Sequence, residues 1–296
     1  MSALNQQKVK VEVVVVVDAS DDDTRGVAES LADARVKVTE IDAGSASIAR
    51  NIGLSLSQGE FIQFLDADDT LSAGKIKDQV DLLVAHSQLA IANCAWGHFV
   101  DTATAVELEP QIINRDIGPK DWLVESWTGG GMSQTACWLT PRKIIEEVGG
   151  WDETLKRNPN DDGEFFCRVM LKAERILFSH SGFVCYRKPG VGCVSKVVSQ
   201  IQAGSLLKSY IACEYHLRLA EDSVRTRQAA AQNYYKFIYQ FAEKYETLVQ
   251  DAWQQIERLG YPICRGIGPK FFQQVASRLG FRNAIRLCHL KRRIFD

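Results

Sequence analysis

No two of the eight cysteines stand as a CxxC pair, so neither a zinc knuckle nor a redox dithiol is written into this chain. Cys94, Cys137, Cys167, Cys185, Cys193, Cys213, Cys264 and Cys288 are scattered, as expected of buried small apolar side chains or incidental thiols in a reducing cytoplasm. The histidines, His86, His98, His180, His216 and His289, show no HxH or HxxxH spacing and read as structural rather than as ligands. No apolar run approaches a bilayer span, and no signal peptide opens the sequence. Internal repeats and low-complexity linkers are also missing. A net charge of −2 removes the general basic surface that nucleic-acid binding needs. What is present is ordinary globular composition, 46% hydrophobic and 24% charged over 296 residues. That length fits one large domain or one domain with an appendage.

Strand and helix patterns alternate along the first third. "VEVVVVV" (11–17) predicts a buried parallel strand ending at Asp18. A helix follows at about 24–34, a strand at 35–41, a helix at 43–59 with Ile48, Ile52 and Leu56 at helical spacing, and a strand at "EFIQFL". Residues 72–86 read as helix and 89–99 as strand. This alternation predicts an α/β fold, a mostly parallel sheet flanked by helices. The stretch 118–188 mixes both types, and from about Val197 to Leu259 the pattern is helical only. The division expected is 1–195 for the sheet domain and 196–296 for a helical C-terminal extension. The aromatics of "YYKFIYQF" fall at helical spacing and read as core. The final segment, "FFQQVASRLGFRNAIRLCHLKRRIF", is basic and amphipathic, suited either to packing on its own domain or to an anionic membrane surface.

The strand at 60–65 ends in "DADDT", where Asp66, Asp68 and Asp69 cluster. Neighbouring carboxylates resist ionising together, and a divalent cation would relieve the repulsion. A solvated turn that caps the next helix is the simpler alternative. In parallel sheets, ligands bind beyond the carboxyl ends of strands, where both Asp18 and this cluster fall.

"VDASDDDT", "ARNIGLSLSQGEFIQFLDADD", "VGGWDE" and "NDDGEFFCRV" resemble, in that order, the motifs of the inverting family 2 glycosyltransferases with the GT-A fold. The resemblance covers roughly residues 2–190. It implies sugar transfer from a nucleotide-sugar donor, a UDP- or GDP-sugar, to a glycan, lipid-linked or protein acceptor. It implies a bound Mg²⁺ or Mn²⁺ that neutralises the departing diphosphate. Carried over by residue, Asp68 is the metal ligand and Asp66 faces the ribose or the metal. Asp18 matches the Asp that reads the nucleotide base. Arg50 supports the diphosphate side or holds Asp66, with a salt bridge fixing the acidic turn as the simpler role. Asp162 is the general base, with Asp161 or Glu164 as possible contributors, and the same pair would also suit a helix N-cap. The expected location is cytoplasmic, with peripheral contact at the inner face of the membrane through the basic C-terminus.

One departure from the family is expected to matter. Its members open with a further strand and helix, and Ser2 falls where that helix would be ending. Two other readings compete with transfer: a non-catalytic GT-A domain serving as a binding subunit, and a haloacid-dehalogenase-like phosphatase with Asp66 as nucleophile in "DADDT".

Overall fold

The structure is a computed structural model that describes residues 1–31, 33–86, 89–99, 106–187, 199–260 and 262–287. Cys193, Cys288, His289, the end of the basic segment and the expected boundary at 195/196 lie outside the described residues.

The first unit is β1 (Val13–Asp18) and β2 (Val36–Ile41), a parallel pair joined through α1 (Thr24–Glu29). Helix α1 stops earlier than its pattern predicts, and an Asp33–Arg35 ion pair lies in the turn into β2. α2 (Ala46–Leu56) packs on β1, and the side chain of Ser45 caps it. The valine run is less enclosed than a strand inside a two-sided sheet. Val17 is buried, but Val13 to Val16 are half-buried, and among the described residues β1 pairs with β2 alone.

"EFIQFL" forms far less strand than expected. Only β3 (Phe61–Ile62) makes ladder bonds, antiparallel to β7 (Thr140–Pro141). Beyond it the Gln63 amide donates to the carbonyls of Phe64 and Ala136 at 2.7 and 3.0 Å, in place of a neighbouring strand. β4 (Thr70–Leu71) and α3 (Lys75–Ala85) follow.

The main sheet has the order β4-β8-β5-β6. β5 (Ala90–Phe99) and β8 (Arg175–Arg187) run parallel, with β6 (Glu107–Leu108) and β4 as short antiparallel edges. The register jumps after Cys94, where β8 loops out residues 180–182. Gly182 lies in that loop. A Cβ there would come within 2.6 Å of the Lys75 Cα, so only glycine allows α3 this close.

α4 (Pro119–Glu125), α5 (Arg142–Val148) and α6 (Asp161–Lys172) cover the sheet. Trp122, Trp138, Trp151, Phe165 and Phe166 fill the core between them. α7 (Gln200–Ala220), α8 (Val224–Phe241), α9 (Glu246–Arg258) and α10 (Lys270–Leu279) complete the chain. Their apolar faces form a separate cluster that includes Tyr234, Tyr235, Phe237 and Phe241, so this aromatic run is core. Cys213 and Leu217 of α7 belong to the sheet-side core and join the two parts. Cys94, Cys137, Cys167, Cys185 and Cys213 are buried free thiols, and Cys264 is half-buried. No described helix is long and apolar enough to cross a membrane.

Candidate functional site

The carboxylate loop is built from the end of β3 to the start of β4. A backbone bond from the Asp69 amide to the Asp66 carbonyl, 3.2 Å, closes it into a tight turn. That turn spreads its three acids apart. Asp66 is half-buried, Asp68 is exposed and Asp69 is buried. The Asp69 carboxylate accepts from the Arg187 amide at 2.9 Å, and the Arg187 Nε donates to the Asp68 carbonyl at 3.2 Å. The loop is thereby pinned to the carboxyl end of β8. Burial pushes the Asp69 carboxyl up to about 7; the Arg187 amide opposes this, and the charges of Asp68 and Asp66 add to it.

Arg50 lies on the buried side of α2. Its guanidinium donates to Asp161 at 2.6 Å and to Asp66 at 3.1 Å. It sits 4.3 Å above the Trp151 ring, which itself stacks on Phe165 at 4.3 Å and 9°. Burial works against the guanidinium charge, but Asp161 and Asp66 outweigh it and hold the Arg50 pKa above its ordinary value. Trp151 is fixed in turn by the Asn51 side chain, which accepts from its amide at 2.8 Å and donates to its carbonyl at 3.0 Å. The neighbours Arg50 and Asn51 thus lock α2 to the start of α6.

At that start, three acids have three environments. Asp161 is paired with Arg50. Glu164 is buried in an ion pair with Arg168, whose guanidinium also donates to the carbonyls of Val148 and Gly150. Asp162 has no ion pair among the described residues; it accepts from its neighbour's amide, Gly163, at 2.7 Å and from the Thr135 hydroxyl at 3.3 Å. Burial pushes its carboxyl up to about 6, the charge of Asp161 adds to this, and Arg50 and the Gly163 amide pull it down. Asp161 likewise accepts from the Asp162 amide at 2.8 Å, but the N-cap is Asn160, without a side-chain cap bond, so the pair stands in the first turn and does not cap the helix as expected.

Asp18 stands apart. It receives the amides of Ala43, Gly44 and Ser45 at 2.8, 2.9 and 2.7 Å, and among the described residues no hydrogen bond joins it to Asp66 or Asp162. Burial opposes its ionisation, yet the three amides hold its carboxyl below the usual range. Its structural effect is to fix the turn from which α2 carries Arg50.

The structure therefore joins Arg50, Asp66 and Asp161, sets Asp162 beside them, and keeps Asp68 on the same loop as Asp66. Sequence reasoning gave no role to Trp151, Asn51, Arg187 or Thr135, and placed Asp69 only as a member of the acidic cluster. Trp151 and Asn51 were inside quoted motifs, but neither a stack nor a cap has a spacing of its own.

The family model for Glycosyl transferase family 2 matches residues 1–149, half of the chain. The chain belongs to glycosyl transferase family 2. Among curated relatives of this family 2 chain, the uncharacterized glycosyltransferase EpsJ of Bacillus subtilis is 32% identical over 195 residues, 63% of this chain and 55% of that protein. A GalNAc(5)-diNAcBac-PP-undecaprenol beta-1,3-glucosyltransferase of Campylobacter jejuni is 26% identical over 251 residues, covering 82% and 76%. A shorter match, the segment shared with the succinoglycan biosynthesis protein ExoO of Rhizobium meliloti, is 36% identical and covers 31% of this chain and 27% of that protein. The crystal structure of S. aureus TarS 1–349 in complex with UDP-GlcNAc superposes over 98% of this chain and 86% of that one, with a TM-score of 0.71 and 15% identity. The fold is the GT-A α/β fold. Membership in this family leaves the phosphatase reading of Asp66 without support.

Proposed function

We propose that this family 2 chain transfers a sugar from a nucleotide-sugar donor to an acceptor hydroxyl with inversion, and that Asp162 is the base. The observation that carries this reading is the contrast among three acids at the start of α6. Asp161 and Glu164 are neutralised by Arg50 and Arg168, while Asp162 has no ion pair among the described residues and a pKa lifted to about 6. A base so tuned is ionised at neutral pH and still basic enough to take a proton.

In the proposed step the acceptor oxygen attacks the anomeric carbon and its proton passes to Asp162. The bond from that carbon to the diphosphate breaks, and the nucleoside diphosphate leaves with the electron pair. Arg50 holds Asp66 on the donor side and Asp161 on the base side, so one guanidinium sets both halves of the centre. Asp18, held in the 43–45 turn, takes the base-reading place. Among the described residues no three His, Cys, Asp or Glu converge as a metal cage. Asp68, exposed, and Asp66 beside it fit a hard cation whose remaining ligands are substrate phosphates, and these two would hold Mg²⁺ or Mn²⁺. When bound, such an ion neutralises the charge developing on the leaving diphosphate.

The donor proposed is a UDP-sugar, because a structural neighbour binds UDP-GlcNAc, with a GDP-sugar as the competitor to test. The acceptor proposed is a saccharide on a lipid diphosphate, the class that the Campylobacter relative's name specifies. Such an acceptor would place the protein at the inner face of the membrane.

A panel of UDP- and GDP-sugars with Mn²⁺, read by mass spectrometry, tests the reading. Turnover of at least one sugar nucleotide is expected. Binding without any turnover would make this a non-catalytic binding subunit. Asp68→Asn should lower transfer by orders of magnitude with the fold intact, and near-normal transfer by that variant at saturating Mn²⁺ would remove Asp68 from the metal site.

A further inference from the structure

Between Glu257 and Asp296 the sequence holds nine Lys or Arg and no acidic side chain, in a chain whose net charge is −2. The described part of this stretch contains α10 and a further helical segment at 281–287. Its inner face is ordinary core, with Phe272, Phe281, Ala284 and Ile285 buried among the helices. The outer face of α10 shows Lys270, Phe271, Gln274 and Arg278, all exposed. Successive residues turn by about 100°, so these four fall within about a third of the helix circumference. Arg282, Asn283, Arg286 and Leu287 are exposed on the next segment. Large apolar groups stand among the charges: Ile263 is 66% exposed, Phe271 65% and Leu279 52%. A face shaped only for solubility mixes both signs of charge and carries few aromatics. Here one sign is missing and the apolar groups are large. Basic groups interleaved with Phe and Leu on an interfacial helix match an anionic lipid surface in both charge and polarity.

We propose that the outer face of α10 and of residues 281–287 docks this protein on an anionic phospholipid bilayer. Phe271 enters the headgroup boundary, and Lys270, Arg278, Arg282 and Arg286 meet lipid phosphates. The inference stands on this surface chemistry and not on the transfer reading, so either can fail alone.

The test is co-sedimentation of the full chain with vesicles of phosphatidylcholine containing roughly one-third phosphatidylglycerol, against pure phosphatidylcholine, at low and high salt. Binding to the anionic vesicles alone, released by salt, is expected. Each neutralised charge should weaken partitioning about fivefold, so Lys270→Gln, Arg278→Gln and Arg286→Gln together should lose about a hundredfold. Phe271→Ser should remove the part that survives high salt. Thermal midpoints and UDP binding should not change, because every altered side chain is exposed. Equal binding to both vesicle types, or unaltered binding by the triple variant, overturns the proposal. So does self-association in sedimentation velocity that the same variants abolish, which would make the face a subunit contact. Binding to an RNA homopolymer with none to vesicles overturns it as well. Should a variant fold poorly, the salt and lipid dependence of the unaltered chain decides.

Discussion

Asp162 and Asp161 are adjacent residues with different surroundings. Arg50 pairs with Asp161, while burial lifts the Asp162 carboxyl to about 6, above the ordinary 3.8, against the pull of Arg50. The native protein therefore keeps a proton that the unfolded chain has released between about pH 4 and pH 6. The stability linked to that proton is present at low pH and is lost as pH rises through this window. Asp162→Asn removes the cost, so its thermal midpoint should exceed that of the unaltered protein at pH 8 and match it below about pH 4. The same variant should lower transfer by about 10²–10⁴-fold while nucleotide-sugar binding stays nearly intact. Comparable loss of donor affinity would put Asp162 in a different subsite. In the unaltered protein, kcat should rise with pH through about 6, since the proposed base works ionised. Arg50 pulls the Asp162 pKa down, so Arg50→Lys should move that limb to higher pH. Lysine brings a point charge that cannot lie flat on Trp151 or bridge two carboxylates. A pH profile unmoved by Arg50→Lys would show that the bridge does not set the base.

At the scale of elements, short connections aim the chemistry. The turn at 43–45 closes on the Asp18 carboxylate, Ser45 caps α2, and α2 delivers Arg50 and Asn51 to the start of α6. Asp18→Ala strands three amides and should cost about 2 kcal/mol. Chemical denaturation measures this, and a loss of nucleotide affinity larger than the stability change explains would add base reading to the bracing role. Trp151 is the shelf on which α2 rests against α6. Trp151→Leu keeps an apolar residue but removes the flat surface between Phe165 and Arg50. A fall in kcat of about a hundredfold, with Trp151→Phe retaining most activity, is expected of a positioning residue. Equal kcat in both variants would reduce Trp151 to packing. The element least legible in sequence was β3. "EFIQFL" has the composition of a full strand, but ladder bonds need a neighbour, and only Phe61 and Ile62 find one.

The whole molecule is held together by its helices as much as by its sheet. Glu214 on α7 is buried and takes three partners: Arg218 on its own helix, the Tyr234 hydroxyl of α8 at 2.7 Å and Arg258 of α9 at 2.7 Å. It is the polar bolt of the extension, and α7 in turn packs on α6, which carries Asp162. Glu214→Ala leaves Tyr234 buried without its acceptor and should cost about 1–3 kcal/mol. For a chain of this size that is a fall of roughly 5 °C in the thermal midpoint. A calorimetric midpoint within a degree or two of the unaltered protein would show that the bolt is dispensable.

The sequence by itself determined the family and the identity of the acids. Apolar runs that end in Asp, an Ala-Arg-Asn-x-Gly helix and an acidic pair are local patterns, and local patterns survive in a linear string. Helical periodicity likewise placed α2, α3 and the aromatic core of α8 within a few residues. Tertiary structure alone decided which acid is paired with Arg50 and which has no ion pair among the described residues. Arg50 reaches Asp66 across 16 positions and Asp161 across 111, and no spacing rule links residues so far apart. It also decided that Asp69 is buried while Asp68 is exposed, since that depends on where the end of β8 arrives. The half-buried state of Val13 to Val16 could not be read from the valine run alone; only the departure from the family pattern pointed to it. An apolar strand is written the same way whether one neighbour covers it or two, because hydrophobicity records a tendency to be buried and burial depends on what lies alongside.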